Sequence, residues 1–317
     1  MAELFETLVG ARAALRRLPG RGLIRVTGGD RVRFLNAMLS ADVAKLPTGG
    51  ACPALQLDRK GHVLAELWVL ADPDAALLDV APGLEAELTA MLEKHIIADD
   101  VALASLSDSV AQLALEGPGA RDAARAVAGT LPEPGRFARA DFAGAPVVWL
   151  AEGSVSADGL RAIAPRAQAD ALAAALALPE LDEGAAELLR IDAGLPLFGR
   201  DVSNRNFPQE ARLDRALSFT KGCYVGQEIV ARIQSRGAVN RVLVKLDTDA
   251  PVAAGAEVSA DGHAIGQVTS SAPLPSGRGL ALAYLKVEHA RTGQRVSVGG
   301  VAGAVAAGSE PGAGSRR

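Results

Sequence analysis

Aromatic residues are scarce in this chain of 317 residues, at 3% of the composition: two Trp, two Tyr and seven Phe. A surface that stacks on nucleic-acid bases needs aromatic side chains interleaved with basic ones, and this sequence has little material for it. Lys and Arg number 33 against 37 Asp and Glu, which gives a net charge of −4. A protein whose whole surface grips a polyanion is therefore not expected, although single basic patches are compatible with this balance.

Cysteine and histidine are also rare, with two and four residues. Cys52 and Cys223 lie far apart, which is typical of a reduced, cytoplasmic protein rather than of a disulfide framework. An iron–sulfur cluster usually takes more thiolates than this chain has, and the histidines lack metal-ligand spacing. We therefore expect no self-contained metal centre.

Long hydrophobic runs are missing as well. The start of the chain carries Glu3 and Glu6 and no apolar stretch after basic residues, which argues against a secretory signal and a transit peptide. Val63–Ala71 is apolar but far too short to span a membrane. The sequence thus predicts a soluble protein.

The hydrophobic pattern predicts an α+β fold with two or three domains, because the chain is longer than one core usually organises. Segments in which apolar and polar residues alternate as in a strand, such as Leu23–Thr27, are followed by segments with apolar residues at helical spacing, such as Leu84–Lys94. Asp30 is placed to cap a helix whose buried face includes Val32. The stretch Leu195–Thr220 is too long for an ordinary connector, and long ordered loops are often functional.

The pattern after Arg241 is strand-like throughout. Val242, Val244 and Leu246 alternate with polar residues, and Asp261-Gly262 reads as a hairpin turn. We expect a small terminal β-barrel or sandwich here. Residues 306–317 are mostly Gly, Ser, Pro and Ala, which predicts a flexible tail.

The most informative segment is Lys221–Glu228, with the sequence KGCYVGQE. Apolar residues after it recur at helical spacing, so Cys223 is expected in a loop just ahead of a helix N-terminus. The helix dipole and Lys221 would both favour the thiolate, the form that attacks electrophiles and binds metals. Gly222 and Gly226 would allow turns that are closed to other residues. The alternative is a buried cysteine that only fills space.

The region from Arg205 to Arg241 holds seven basic residues against three acidic ones. Such a positive region suits an anionic ligand, such as a poly-carboxylate tail or nucleic acid, or is an ordinary solvated face. Upstream, Asp192 lies near a helix end, where a carboxylate opposes the helix dipole. This acid is either reserved for a ligand or paired with Arg200 or Arg205.

Lys221–Glu228 resembles the K-G-C-Y-x-G-Q-E signature of the YgfZ/Iba-type folate-binding proteins, relatives of the glycine-cleavage T-protein (aminomethyltransferase). Leu189–Pro196 resembles that family's R-x-E-x-G-x-P segment, and Phe207–Glu210 resembles its P-Q-E turn. Val26–Val43 together with Leu57–Gly61 resembles its amino-terminal V-x-G-x-D…F-L…D-V…L-D-x-K-G pattern. Ile265–Ser271 resembles a strand pair of its barrel. The resemblance thus covers nearly all of the chain.

The resemblance implies a cloverleaf of two interwoven α+β subdomains and a C-terminal β-barrel, with tetrahydrofolate in a central cavity. The folate-binding region would span residues 1–238. One of its subdomains would combine 1–50 with 105–238, and the other would be 51–104. The barrel would span 239–305. Asp192 would stand where the relatives' acid meets the pterin ring, and Asp for Glu shortens its reach. Cys223 and Lys221 would be the catalytic residues, and the other implied folate contacts are Arg190, Gln209, Glu210, Gly222, Tyr224, Gly226, Gln227, Glu228 and Arg232.

The family's implied role is folate-linked support of iron–sulfur enzymes, including tRNA-modifying ones, with a transient contact of the Cys223 thiolate. Its partners would be folate and iron–sulfur enzymes or assembly proteins. The alternative is a tetrahydrofolate-dependent aminomethyltransferase or demethylase, a one-carbon transferase. Against it, that enzyme's loop has an acid in place of Cys223, and Val80–Gly83 replaces the stretch that introduces its catalytic Asp. A third interpretation, a tRNA-binding module, would draw on arginines near the start, from Arg12 to Arg25, and on the later basic region from Arg205 to Arg241.

Overall fold

The computed structural model describes residues 2–155, 159–236 and 239–307, so the predicted tail lies outside the described residues from 308 onward. The chain forms two compact units. The described residues of the first unit are 2–57, 65–155, 159–182 and 216–225, and those of the second are 58–64, 183–215, 226–236 and 239–307. The domain boundaries at 238 and 305, and the subdomains, stay predictions.

The first unit contains two five-stranded sheets. One has the strand order β1-β7-β10-β9-β8 and the other β3-β4-β5-β2-β6. The strands are β1 Ala14–Arg17, β2 Gly22–Thr27, β3 Ala51–Leu57, β4 Val63–Ala71, β5 Ala76–Val80, β6 Ala102–Ser105, β7 Val110–Glu116, β8 Phe137–Phe142, β9 Ala145–Leu150 and β10 Leu160–Pro165.

Five α-helices belong to the described residues of the same unit, and four of them cover the outer faces of the sheets. Apolar residues of α2 and α3 pack on one sheet, and those of α4 and α5 on the other. The two remaining sheet faces share a core that includes Trp68 and Phe137. The helices are α1 Ala2–Val9, α2 Arg31–Met38, α3 Glu85–Glu93, α4 Ala120–Ala128 and α5 Ala169–Leu176.

Two details of α2 differ from expectation. Asp30 occupies the N-cap position, but its side chain makes no capping hydrogen bond to the helix. Its carboxylate instead accepts the backbone N–H of Asp100 at 2.9 Å, because the chain around Asp100 lies beside the helix start. Val32 is 40% exposed, and the buried face is formed by Phe34, Leu35 and Met38.

The second unit contains helices α6 Glu183–Asp192 and α7 Gln227–Arg236 and a closed barrel with the strand order β11-β14-β13-β12-β15-β16. Val242, Val244 and Leu246 point into the barrel core, as the alternation predicted. This confirms the α+β class with a C-terminal β-barrel. The barrel strands are β11 Arg241–Thr248, β12 Glu257–Ala260, β13 His263–Pro273, β14 Gly279–Lys286, β15 Arg295–Val298 and β16 Val301–Val305.

The predicted long connection between α6 and α7 is present and runs through turns and a short 3-10 helix at Asp214–Ala216. Among the residues described, none of the helices is long and apolar enough to cross a membrane.

Candidate functional site

Cys223 lies on the exposed part of the loop that precedes α7. Helix α7 begins at Gln227, four residues after the cysteine, so the prediction of a cysteine ahead of a helix start is confirmed. Cys223 is exposed and Cys52 is partly buried, and both are free thiols. The alternative in which Cys223 only fills space inside a core is therefore wrong. Burial raises the pKa of the Cys52 thiol to about 11, so the two thiols have different environments.

Lys221, at the start of this loop, is buried and holds the loop against the end of α2. Its Nζ donates hydrogen bonds to three backbone carbonyls, of Asn36 at 2.6 Å, of Leu39 at 2.5 Å and of Ala41 at 2.7 Å. The last carbonyls of a helix lack intrahelical partners and carry partial negative charge, so a cation is favoured there. Burial lowers the pKa of Lys221 to about 8, which leaves most of the side chain charged at neutral pH. We call this arrangement the lysine clamp.

Tyr224 anchors the other side of the cysteine. It is 7% exposed, and the Lys221 ammonium lies 4.6 Å from the centre of its ring, a cation–π contact. Burial raises the pKa of Tyr224 to about 12. The next residue, Val225, donates its N–H to the carbonyl of Ala37 at 3.3 Å. The exposed Cys223 thus sits between two anchored positions of the first unit.

Only one of the two loop glycines needs the freedom predicted for it. Gly226 has a φ of 82°, in the left-handed region that favours glycine. Gly222 is not among the residues with positive φ, and a Cβ placed on it would meet no atom within 4 Å. The prediction that Gly222 adopts a turn closed to other residues is therefore wrong.

Arg190 in the second unit is buried in an ion-pair network. Its guanidinium donates to Asp201 Oδ2 at 2.7 Å, to Glu187 Oε1 at 2.7 Å and to Ser270 Oγ at 2.8 Å. Ser270 in turn donates its hydroxyl hydrogen to Asp201 Oδ1 at 2.7 Å. The network joins α6, the following loop and β13, so the described contacts of Arg190 support the fold, and its folate contact stays a prediction.

Asp192 ends α6, where its carboxylate would oppose the helix dipole. Lys245 resolves this conflict, because its Nζ donates to Asp192 Oδ1 at 3.0 Å and to the Asp192 carbonyl at 2.8 Å. Arg200, one of the partners considered for Asp192, pairs with Glu187 at 2.7 Å. The only signal for Lys245 in the sequence was its place between Val244 and Leu246, because the residue between two inward-pointing strand positions points outward.

Gln209 and Glu210 lie on the loop of the second unit. Gln209 donates from Nε2 to the carbonyl of Val230 at 2.9 Å, while its Oε1 is buried without a hydrogen-bond partner among the described residues. Glu210 is 7% exposed and pairs through Oε1 with Arg241 Nε at 3.1 Å. Its other oxygen accepts the N–H of Phe207 at 3.2 Å. Gln209 therefore has a free acceptor, whereas Glu210 is committed to the fold.

The remaining predicted residues, Gln227, Glu228 and Arg232, are on α7. Gln227 is its first residue, and Glu228 and Arg232 form an i,i+4 pair at 2.7 Å with largely exposed side chains. Such a pair adds little stability and leaves both groups accessible. Within the described ranges no group of three or more His, Cys, Asp and Glu residues could hold a metal ion.

Asp201 was not singled out by the sequence. It lies in the middle of the long connection, where no periodic pattern marks a buried acid. Its side chain is fully buried and accepts four hydrogen bonds, from Arg190, Ser270, Thr269 and the N–H of Leu197.

Comparison with known proteins places these features in a family. Two family models match, the GCVT N-terminal domain over residues 13–221 and the glycine cleavage T-protein C-terminal barrel domain over residues 241–307. The chain is 29% identical over 288 residues to a chloroplastic protein of Arabidopsis thaliana named only as a transferase, covering 88% of this chain and 66% of the relative. It is 30% identical over 306 residues to an aminomethyltransferase of Saccharopolyspora erythraea, covering 92% and 83%.

A solved structure shows the same fold. The glycine cleavage system aminomethyltransferase T of Bartonella henselae superposes with a TM-score of 0.85 at 25% identity, over 96% of this chain and 88% of that one. Since the first family model alone spans well over half of the residues, the chain belongs to the GCVT family, with the T-protein C-terminal barrel.

Proposed function

We propose that this chain is a cytoplasmic, YgfZ-type folate-binding member of the GCVT family that supports iron–sulfur enzymes, including tRNA-modifying ones, through the thiol of Cys223. The observation that carries the proposal is the presentation of that thiol. Cys223 is exposed while Lys221 and Tyr224 on either side of it are buried. A thiol held out from an anchored loop can reach a partner protein without unfolding of the loop.

The chemistry proposed for Cys223 is a transient bond between its sulfur and an iron atom of a cluster that a partner protein carries. The thiolate is the metal ligand, so the S–H proton passes to solvent as the sulfur–iron bond forms. One thiolate cannot hold a cluster alone, so the cluster is cargo shared with the partner and returns to it when this bond breaks. The step is a ligand exchange, in which the Cys223 thiolate displaces one of the partner's ligands from that iron and the ligand returns when the new bond breaks, so no oxidant or reductant is needed.

The second unit offers groups that fit a pterin. A pterin ring presents N–H donors on one edge, which pair with a carboxylate or an amide oxygen. Asp192, with its side chain 19% exposed, supplies a carboxylate oriented by Lys245, and Gln209 Oε1 is a buried acceptor without a donor among the described residues. Asp192 and Gln209 would therefore hold the ring. Tetrahydrofolate, when bound, supplies a reduced pterin that can carry one-carbon units.

The region of Val80 argues against one-carbon transfer as the main activity. Asp79, the acid directly before Val80–Gly83, is fully buried between Arg21 Nε at 2.8 Å and Arg161 Nη1 at 2.5 Å. Burial alone would raise the pKa of Asp79, but Arg161 and Arg21 together lower it. A carboxylate with a lowered pKa is a poor match for proton transfer at neutral pH, because the pKa of a catalytic acid or base lies close to the working pH.

The test compares two cysteine variants in cells that lack this protein and in vitro. We expect Cys223→Ser to abolish support of iron–sulfur enzyme activity, while tetrahydrofolate binding in an anaerobic titration stays unchanged. Cys52→Ser is the matched control and should keep both functions. Full enzyme support by Cys223→Ser would refute the role of the thiol, and absence of folate binding by the wild type would refute the cofactor.

A second candidate function is tetrahydrofolate-dependent aminomethyl transfer or demethylation. The names of several relatives favour it, among them the aminomethyltransferase of Saccharopolyspora erythraea. Formation of methylene-tetrahydrofolate from an aminomethylated carrier, or of methyl-tetrahydrofolate from a methylated amine, by the purified protein would establish this function instead, provided that wild type and Cys223→Ser are equally active.

A further inference from the structure

A cleft of about 410 Å³ lies entirely within the second unit, and its lining contains none of the residues assigned to folate and thiol chemistry above. One wall is the outer face of the barrel, formed by β11, β13 and β14, and the other is the loop segment from Arg200 to Asn206. Its volume falls in the range of small-molecule sites.

Four cationic side chains line this cleft: Arg200, Arg205, Arg241 and Lys286. Two of them are neutralised, Arg200 by Glu187 at 2.7 Å and Arg241 by Glu210 at 3.1 Å. Arg205 and Lys286 are exposed, and neither has a carboxylate within salt-bridge distance in the described parts of the chain. Asp201 also lines the cleft, but its charge is balanced by Arg190 at 2.7 Å, so the cleft carries about two uncompensated positive charges.

The barrel places two of these cations in an unfavourable position. Arg241 on β11 and Lys286 on β14 are direct partners in the antiparallel register, so their side chains emerge on the same face beside each other. Like charges directly opposite on neighbouring strands destabilise a sheet. Glu210 offsets the charge of Arg241 only. An anion bound in the cleft would offset the charge that remains at Lys286.

Tyr284 adds a polar group that the protein leaves unused. It lines the same cleft, is 8% exposed, and its hydroxyl has no hydrogen-bond partner among the described residues. The guanidinium of Arg241 lies 5.0 Å from the centre of its ring. Burial raises the pKa of Tyr284, so the hydroxyl keeps its proton and remains a donor. A buried hydroxyl without a partner is costly, and a bound anion would accept its hydrogen.

We propose that this cleft is a binding site for a small dianion, a phosphate group or a dicarboxylate, held by Arg205 and Lys286 and by the hydroxyl of Tyr284. Arginine and lysine together suit such a group, because the guanidinium supplies a planar pair of donors and the ammonium a compact charge. The proposal depends neither on Cys223 nor on folate.

The test is calorimetric titration of the full chain at an ionic strength of about 0.15 M, where the Debye length is about 8 Å, with three probes: inorganic phosphate, pyrophosphate and glutarate. Saturable binding is expected, and the probe that binds most tightly tells a phosphate ligand from a dicarboxylate. The double variant Arg205→Gln/Lys286→Gln should bind about tenfold more weakly or worse, since both free charges are gone. Tyr284→Phe, which removes only the hydroxyl, should weaken binding about threefold or more.

The matched control is Arg278→Gln/Arg295→Gln, which removes two exposed cations of the same barrel outside the cleft. It should bind the probe within about twofold of the wild type, because long-range charge is screened by salt. Melting curves identify any variant that does not fold. The proposal is overturned if no probe binds the wild type saturably, or if the control loses as much affinity as the cleft variant.

Discussion

Replacement of Asp201 by alanine should destabilise the second unit more than other single changes at polar positions of its loop. The Asp201 side chain is fully buried, and Arg190, which it partners, has its side chain 7% exposed. Removal of one partner of a buried ion pair costs about 3–5 kcal/mol, because the remaining charge stays buried. Glu187 still holds Arg190 at 2.7 Å, so the lower end, about 3 kcal/mol, is expected.

The assay is thermal unfolding followed by far-ultraviolet circular dichroism. Tryptophan fluorescence is unsuitable, because both Trp68 and Trp149 belong to the first unit. A loss of about 3 kcal/mol should lower the Tm by about 6–12 °C. Glu228→Ala, which breaks only the exposed pair with Arg232, should cost less than about 0.5 kcal/mol. A Tm of Asp201→Ala within about 2 °C of the wild type would show that the network does not carry the stability assigned to it.

Three further predictions concern the thiols, the lysine clamp and the barrel. At pH 8 iodoacetamide should modify Cys223 and spare Cys52, because a pKa of about 11 leaves only about one thousandth of Cys52 as the reactive thiolate; equal labelling of both cysteines in a peptide map would contradict this. Because the folded state keeps the Cys52 proton to a higher pH than the unfolded state does, the free energy of unfolding should fall as the pH rises from 9 towards 11. Lys221→Met should speed amide hydrogen exchange of the loop at least several-fold, as the clamp is lost, and unchanged exchange would speak against the clamp. Gly266→Ala should abolish soluble expression, because the new Cβ would lie 2.0 Å from the Tyr284 carbonyl oxygen. The control Gly222→Ala, whose Cβ would meet no atom within 4 Å, should fold normally. A soluble, folded Gly266→Ala protein would refute this prediction.

The parts of the structure that follow from local patterns were predictable. Alternation at Val242, Val244 and Leu246 was enough for a barrel strand, because the side-chain period of a strand is set within a few residues. The position of Cys223 before α7 followed in the same way from helical spacing. Both predictions needed no knowledge of distant residues.

The partners of the site residues were not predictable. Lys221 was expected to act on the neighbouring cysteine, yet its ammonium binds backbone carbonyls of Leu39 and Ala41, and carbonyls have no signature in a sequence. Asp192 was matched with arginines close to it along the chain, but Lys245 on a barrel strand holds it. In both cases the tertiary fold chose a partner that sequence distance does not reveal.

The lysine clamp also bears on biosynthesis. Lys221 and Leu39 are 182 positions apart, and the carbonyls at the end of α2 stay without this donor until the ribosome has made residue 221. Pairings between distant segments form slowly, and the apolar surface left open meanwhile is prone to aggregation. A nascent chain that stops before residue 221 should therefore be a client of chaperones, even though both sheets of its first unit have already been synthesised.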